Sequence, residues 1–406
     1  MRRFWPVLPL GIAALLLAGR AEGTEGYRTQ GDCDGFPRIS LKVPPPLCVG
    51  LVAQHLGFAR GVAAIGRDIF VVDMGGWGSH HGRLLRLADG GRATPQVLLR
   101  DLFQPNGLVP GPGRTLLLGI TGSVVQLDPF APDPAKTVRV IVPGLPTTGR
   151  HPVPALAMAP NGALAINVGS ATDHCETEER KAPDPHAACP ETRERPARGS
   201  ILELPPGLAP TPAHEVPVLA RGLRNSMALA YLPDGRLVAA VNARDYINRA
   251  DPALSDEDLP HDTFVVVEPG ADYGWPYCYD NGIASPEYPG FDCHDRKLPT
   301  MLLPAHAAPL GMLLYRGARL PGLDHHLVVP YHGYRRTGHR IVSIGLDANG
   351  EPSGAPVEFV GDWGFATGNH PQGAPVAVFE MDDGSVLITE DKNGTLLRLS
   401  VQATQP

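Results

Sequence analysis

Three stretches of this chain are built alike: a run of small and apolar residues, an Asn-Gly or Asp-Gly pair, then a second apolar run. They are Ala155 to Val168 around Asn161-Gly162, Met227 to Ala240 around Asp234-Gly235, and Val376 to Thr389 around Asp383-Gly384. Asn-Gly and Asp-Gly tolerate the positive φ values that a tight turn between twisted strands requires, so each stretch predicts a β-hairpin. The theme recurs near Gly61, Gly107 and Gly311, which with the units entered near Ala155, Ala228 and Val376 makes six. A third apolar run follows each hairpin, as in Gly82 to Leu87, Gly122 to Leu127, Gly199 to Leu204, Thr263 to Val267, Arg340 to Ile344 and Gly394 to Leu399. Six such units predict an all-β, six-bladed β-propeller, whose radial repetition leaves only short edges. The competing reading is a β-sandwich or a pair of stacked barrels, and the regular spacing favours the ring.

In a propeller the loops at one end converge on the axis, so residues far apart in the chain share one pocket. Two long insertions, 171–198 and 246–261, are polar, Pro-rich or charged, and read as surface loops capping one face. The 47 glycines and 44 prolines among 406 residues are scattered between apolar runs, which describes a turn-rich globular protein. Charged residues are 19% of the chain, too few for long solvated helices. No linker stands out, so residues 22–406 read as a single domain.

Residues 1–21 have the pattern of an export signal: Arg2 and Arg3, an apolar stretch from Val7 to Ala18, and small residues around Arg20. That stretch, broken by Pro9 and Gly11, is too short to span the ~30 Å of a bilayer's hydrocarbon. The expected mature chain is periplasmic or secreted. Removing Arg2, Arg3 and Arg20 from the 35 basic residues leaves 32 against 42 acidic ones, which disfavours a nucleic-acid partner. The six cysteines fall into neighbours, 33 with 48, 175 with 189 and 278 with 293, and local pairing is the economical choice among 15 connectivities. Each such bridge closes a loop of about 15 residues, worth roughly 3 kcal/mol in the chain-entropy description. No two cysteines are spaced C-x-x-C, so neither a metal cluster of that kind nor covalent haem is expected.

Four places carry residues suited to chemistry. Arg224-Asn225, just ahead of a hairpin, offers a planar charged fork and a directional amide. His151, in the same relative place one unit earlier, offers an imidazole whose ordinary pKa suits a general base. Asn242 to Asp245, with Asp258 and Asp262 nearby, presents carboxylates and carbonyls at a strand end, the donors that Ca²⁺ favours, although no EF-hand spacing is present. His332 to Arg340 concentrates Arg335, Arg336 and Arg340 in an otherwise acidic chain and suits an anion, or is a charged surface loop.

In order along the chain, His151 ahead of its hairpin, Gly222-Leu-Arg-Asn225, Tyr273-Gly-Trp-Pro276, Ala308-Pro-Leu-Gly-Met312 and the last unit from Asp383-Gly384 to Leu399 resemble the pyrroloquinoline-quinone (PQQ)-dependent glucose/sorbosone dehydrogenases. The resemblance covers roughly residues 50 to 400 and implies a soluble six-bladed propeller that oxidises an aldose or sugar-like alcohol. It implies that His151 is the general base for the sugar C1 hydroxyl, that Arg224 holds the quinone oxygens with Asn225 hydrogen-bonding nearby, and that Gln104 or Asn106 is a polar cofactor contact. It further implies that the carbonyls of Ala243 and Arg244 hold Ca²⁺, with Asp245 and Asp262 as candidate metal carboxylates, and that Arg335 or Arg336 faces a cofactor carboxylate. Electrons would pass to a separate acceptor such as a soluble cytochrome. The chain departs from the pattern at Ala374, where relatives carry Arg just before Pro-Val, and at 242–245, which is closer to sorbosone-type than to glucose-type relatives. Two alternatives stand beside this reading: a Ca²⁺-dependent hydrolase of lactone or ester type, and a non-catalytic ligand-binding propeller that has lost the cofactor. The hydrolase would need carboxylates and an Asn at the axis, where basic residues are expected.

Overall fold

The computed structural model describes residues 27–177, 179, 181–363 and 373–402; the expected export signal at 1–21 lies outside them. Six antiparallel sheets form a six-bladed propeller. Their innermost strands are Ala59–Ile65, Leu108–Pro110, Leu156–Met158, Ala228–Tyr231, Leu313–Leu314 and Pro375–Glu380, and each touches the next round a closed circle. We number the blades one to six in that order.

The ring closes by strand pairing. Blade six takes its outer strand, Leu47–Ala53, from the N-terminal part of the chain, paired antiparallel with Thr395–Val401 near the other end. A further hairpin, Thr29–Cys33 and Phe36–Ile39, extends the same sheet, and Cys33–Cys48 ties it to the closing strand. The other bridges are Cys175–Cys189 and Cys278–Cys293, so all three join sequence neighbours.

The Gly-punctuated hairpins form as expected but by a different turn. In blade three the Gly162 N–H donates to the Ala159 carbonyl (2.9 Å) and the Ala159 N–H to that of Ala163 (2.8 Å). Gly162 alone is left-handed (φ 88°), while Asn161 Oδ1 accepts from the Ala163 N–H (2.9 Å). This is a type I turn closed by a left-handed glycine, with the polar residue acting through its side chain. Asp234-Gly235 and Asp383-Gly384 repeat it.

Apolar side chains collect between blades. Six buried clusters each draw on two adjacent sheets, one per interface, as in Leu117, Val124 and Ile141 of blade two against Leu164, Ile166 and Leu202 of blade three. Burial between flat sheets stabilises each blade against its neighbours at about 25 cal/mol per Å² and leaves the axis free of packed side chains. Both long insertions join the second and third strands of their blades, three and four, and so lie at one end of the axis. They are more than surface loops: Asp173, Glu176 and Glu191 of the first are buried.

Candidate active site

At that end, where second strands finish and first strands begin, the axis opens into a well of about 490 Å³. His151, Arg224, Asn225, Ala243, Asp245, Asp262 and Arg335 all line it.

On the side of blades three and four, His151 stands on the loop ahead of Leu156–Met158. Its Nδ1 lies 3.1 Å from the Ser170 carbonyl and 2.9 Å from Ser170 Oγ. The Ser170 hydroxyl donates its own proton to the Thr172 carbonyl (2.6 Å), so both Ser170 oxygens are acceptors toward the ring. Nδ1 must then carry the proton, leaving a lone pair on Nε2. Burial, and next the Arg224 charge, lower the pKa of His151 to about 3, so the ring is neutral at physiological pH. Gly169 is required here by space: a Cβ would stand 2.5 Å from His151 Cβ and 2.9 Å from Asn225 Oδ1.

Arg224 is buried and held through three of its five N–H groups. Nε donates to the Asp173 carbonyl (3.1 Å), one terminal nitrogen to the Asn242 carbonyl (3.0 Å) and the other to Asp173 Oδ1 (2.5 Å). Asp173 also accepts from the Asp245 N–H and from Arg150, whose second terminal nitrogen reaches Glu176 at 3.0 Å. Burial pushes the Asp173 carboxyl up, but Arg224, Arg150 and Arg244 together hold it below its ordinary range. Asn225 Oδ1 is met by Asn167 Nδ2 at 3.4 Å.

Across the well, Arg60 and Asp391 form a buried pair at 2.7 Å, and His332 Nε2 lies 2.9 and 3.0 Å from the two Asp391 oxygens. Arg60 Nε donates to Asn106 Oδ1 (3.0 Å), while Asn106 Nδ2 donates to the Pro154 carbonyl (3.1 Å). Asn106 thus braces Arg60 from outside the well. Gln104 is buried and also does not line the well. His306 Nδ1 lies 3.1 Å from an Asp245 carboxylate oxygen and Nε2 2.5 Å from the Asp256 carbonyl; burial opposes its charge, but these acceptors raise its pKa. Arg335 is held by the Asp256 carboxylate and carbonyl, each at 2.7 Å. Arg336 points away, its side chain 73% exposed and 3.9 Å from Glu257.

The residues considered for a cation divide. Asp262 accepts from the Ala243 N–H (2.7 Å) and the Ala308 N–H (2.6 Å), which clasps blade four to the entry of blade five; burial pushes its carboxyl up to about 6. The Arg244 side chain turns outward to Glu287 (2.5 Å). The Asn242 side-chain oxygen is buried without a partner, and the carbonyls of Ala243 and Arg244 take no hydrogen bond from the described residues. Oxygens of these kinds, with the part-exposed carboxylate of Asp245, are what a hard cation takes, and Asn242, Ala243 and Asp245 line the well whereas Arg244 does not. A tighter trio, Cys175, Cys189 and Glu191, is closed to metal by the Cys175–Cys189 bond. Ala374 is fully buried and supplies no charge.

The expectation of a basic axis needs correction, because Asp245, Asp262 and Asp391 converge there too. Asp391 and Asp173 were not singled out by sequence. A signal for the first was available: a polar residue lies at the end of every second strand or within two residues beyond it, namely Asp73, Thr121, Ser170, Asn242, His332 and Asp391.

No family model matches the sequence. An uncharacterized protein of Borreliella burgdorferi is 26% identical over 191 residues, 45% of this chain and 48% of that protein, so the match spans about half the length of that relative. Among solved structures, the Trichoderma reesei carbohydrate-active enzyme of family AA12 superposes with a TM-score of 0.72 over 92% of this chain and 100% of that one, at 18% identity. The PQQ domain of pyranose dehydrogenase from Coprinopsis cinerea gives 0.68, over 91% and 99%, at 20%. The PQQ-bound aldose sugar dehydrogenase of Streptomyces coelicolor gives 0.61, over 89% and 98%, at 16%. This chain has the fold of those proteins.

Proposed function

We propose that the chain is an exported, PQQ-dependent oxidoreductase that takes hydride from an aldose or a sugar-like alcohol. The observation that carries this reading is the neutral imidazole of His151, its Nδ1 fixed from behind by Ser170 and its Nε2 bare, in a well shared with Arg224 and Asn225. Likeness to the PQQ-bound sugar dehydrogenase fold supports the class of reaction.

Bound in the well, PQQ would supply the hydride acceptor and Ca²⁺ would polarise it. The residues present fit both. Arg60, Arg150, Arg224 and Arg335 would face the carboxylates and carbonyls of the quinone, although each already has a carboxylate partner and Ala374 contributes nothing. The Ala243 carbonyl, Asn242 Oδ1 and Asp245 would hold the cation. His151 would accept the hydroxyl proton at Nε2 as hydride leaves the same carbon, and Ser170 would keep the ring in the tautomer that allows it. Asp173 would fix Arg224 and the turn at Asp245 relative to that base.

Three disulfides agree with an oxidising compartment, and among the described residues no helix is long and apolar enough to cross a membrane. We place the protein outside the cytoplasm, with a separate electron acceptor. The axial carboxylates favour a second reading, a Ca²⁺-dependent lactonase, but Asp262 and Asp391 are spent on N–H groups, Arg60 and His332. The test is dye reduction by purified protein given PQQ, Ca²⁺ and a panel of sugars. Turnover lost in His151→Ala supports the dehydrogenase; lactone hydrolysis without quinone overturns it.

A further inference from the structure

Three of the largest exposed apolar side chains stand at the mouth of the well. Trp77, Tyr246 and Tyr334 are 57%, 44% and 55% exposed, and each comes from a loop between second and third strands, in blades one, four and five. Two of the rings are braced by cations: the Arg249 guanidinium lies 3.9 Å from the Tyr246 ring centre and Lys392 Nζ 4.5 Å from that of Tyr334. Trp77 stacks on no ring among the described residues. Large apolar groups kept in water at the rim of a pocket, and interleaved with Arg150, Asp245 and Arg335, suit a ligand with apolar faces and hydroxylated edges. They lie outside the half-buried base, so whatever touches them extends beyond the reacting carbon.

We infer that the mouth is a binding subsite for a second sugar ring, which makes the substrate an oligosaccharide oxidised at its reducing end and not a free monosaccharide. Trp77 is the platform for that outer ring, and Tyr246 and Tyr334 flank it. This rests on the dehydrogenase reading for the chemistry but on the rim alone for the binding, and the two are separable by experiment.

Trp77 is also a reporter. Trp363 is buried and Trp275 is held through its indole N–H by the Asp173 carbonyl, while Trp5 lies in the leader. Maltotriose and cellotriose are titrated against glucose into mature protein without quinone, following tryptophan emission. One trisaccharide shifts the emission to the blue and saturates, at least ~10-fold tighter than glucose, and Trp77→Ala abolishes the shift. In dye reduction with PQQ and Ca²⁺, Trp77→Ala lowers kcat/KM for that trisaccharide ~10-fold relative to glucose, and Trp77→Phe restores most of it. Equal affinity for glucose and both trisaccharides, or Trp77→Ala leaving the ratio untouched while raising the KM for a protein electron acceptor, overturns the subsite and leaves the dehydrogenase standing. Trp77-dependent trisaccharide binding with no dye reduction by any sugar supports the subsite and removes the dehydrogenase.

Discussion

The two sides of the well use the same three residue types to opposite ends. Beside blades five, six and one, Asp391 bonds both Arg60 and His332, so the imidazole spends Nε2 inside a buried charge network. Beside blades three and four, Asp173 takes Arg224 and Arg150, and the imidazole of His151 is left to Ser170, which engages only Nδ1. Burial lowers the pKa of both histidines. A carboxylate on the ring makes a structural wedge, whereas a neutral backbone acceptor behind it leaves a lone pair for chemistry.

The largest effect expected from this contrast is on turnover. His151→Gln should lower kcat roughly 10²–10⁴-fold with little loss of stability, while His332→Gln should do the reverse; equal losses of turnover would erase the distinction. Next, Asp391→Ala leaves Arg60 buried without its partner and should cost on the order of 3–5 kcal/mol in chemical denaturation. The pH dependence follows from the lowered histidines. As pH falls below about 6.5 the unfolded chain takes up protons that these rings refuse, so stability is complete above that pH and is lost as pH falls, for His151 down to about 3. Each contributes a slope of up to about 1.4 kcal/mol per pH unit, and between pH 5 and 6.5 the slope should be shallower in His151→Gln. Ser170→Ala keeps the carbonyl but loses the hydroxyl acceptor, which should cost about 1 kcal/mol of positioning, a roughly fivefold fall in kcat with KM held. Smallest of all, Arg336→Ala should change stability by less than ~0.5 kcal/mol and quinone affinity not at all, since its side chain lies in solvent.

The ring was legible because each blade is a local object: hairpins, Gly-centred turns and alternating apolar runs are written within about 50 residues. Even there the turn geometry was not, since Asn161, Asp234 and Asp383 act through their side-chain oxygens instead of adopting positive φ themselves. In the site, His151, Arg224 and Asn225 were found because each precedes a recognisable first strand. Their partners were not. Arg224 meets Asp173 from 51 residues away and Arg60 meets Asp391 from 331; blade-on-blade packing sets the first pair and ring closure the second. The insertion 171–198 illustrates the limit: its polar composition resembles any solvated loop, yet it folds inward because buried arginines offer its carboxylates charge that water would otherwise supply.

The pairing of Leu47–Ala53 with Thr395–Val401 has a temporal consequence. The seam joins an early strand to a late one, so a chain emerging from synthesis can finish five blades and still lack a closed circle. The well takes its lining from both sides of that seam, Arg60 and Trp77 in blade one and Asp391 in blade six, so its wall is complete only when the two ends meet. Completing that far-reaching clasp is intrinsically slow compared with zipping a hairpin, so an open arc of blades precedes the locked ring.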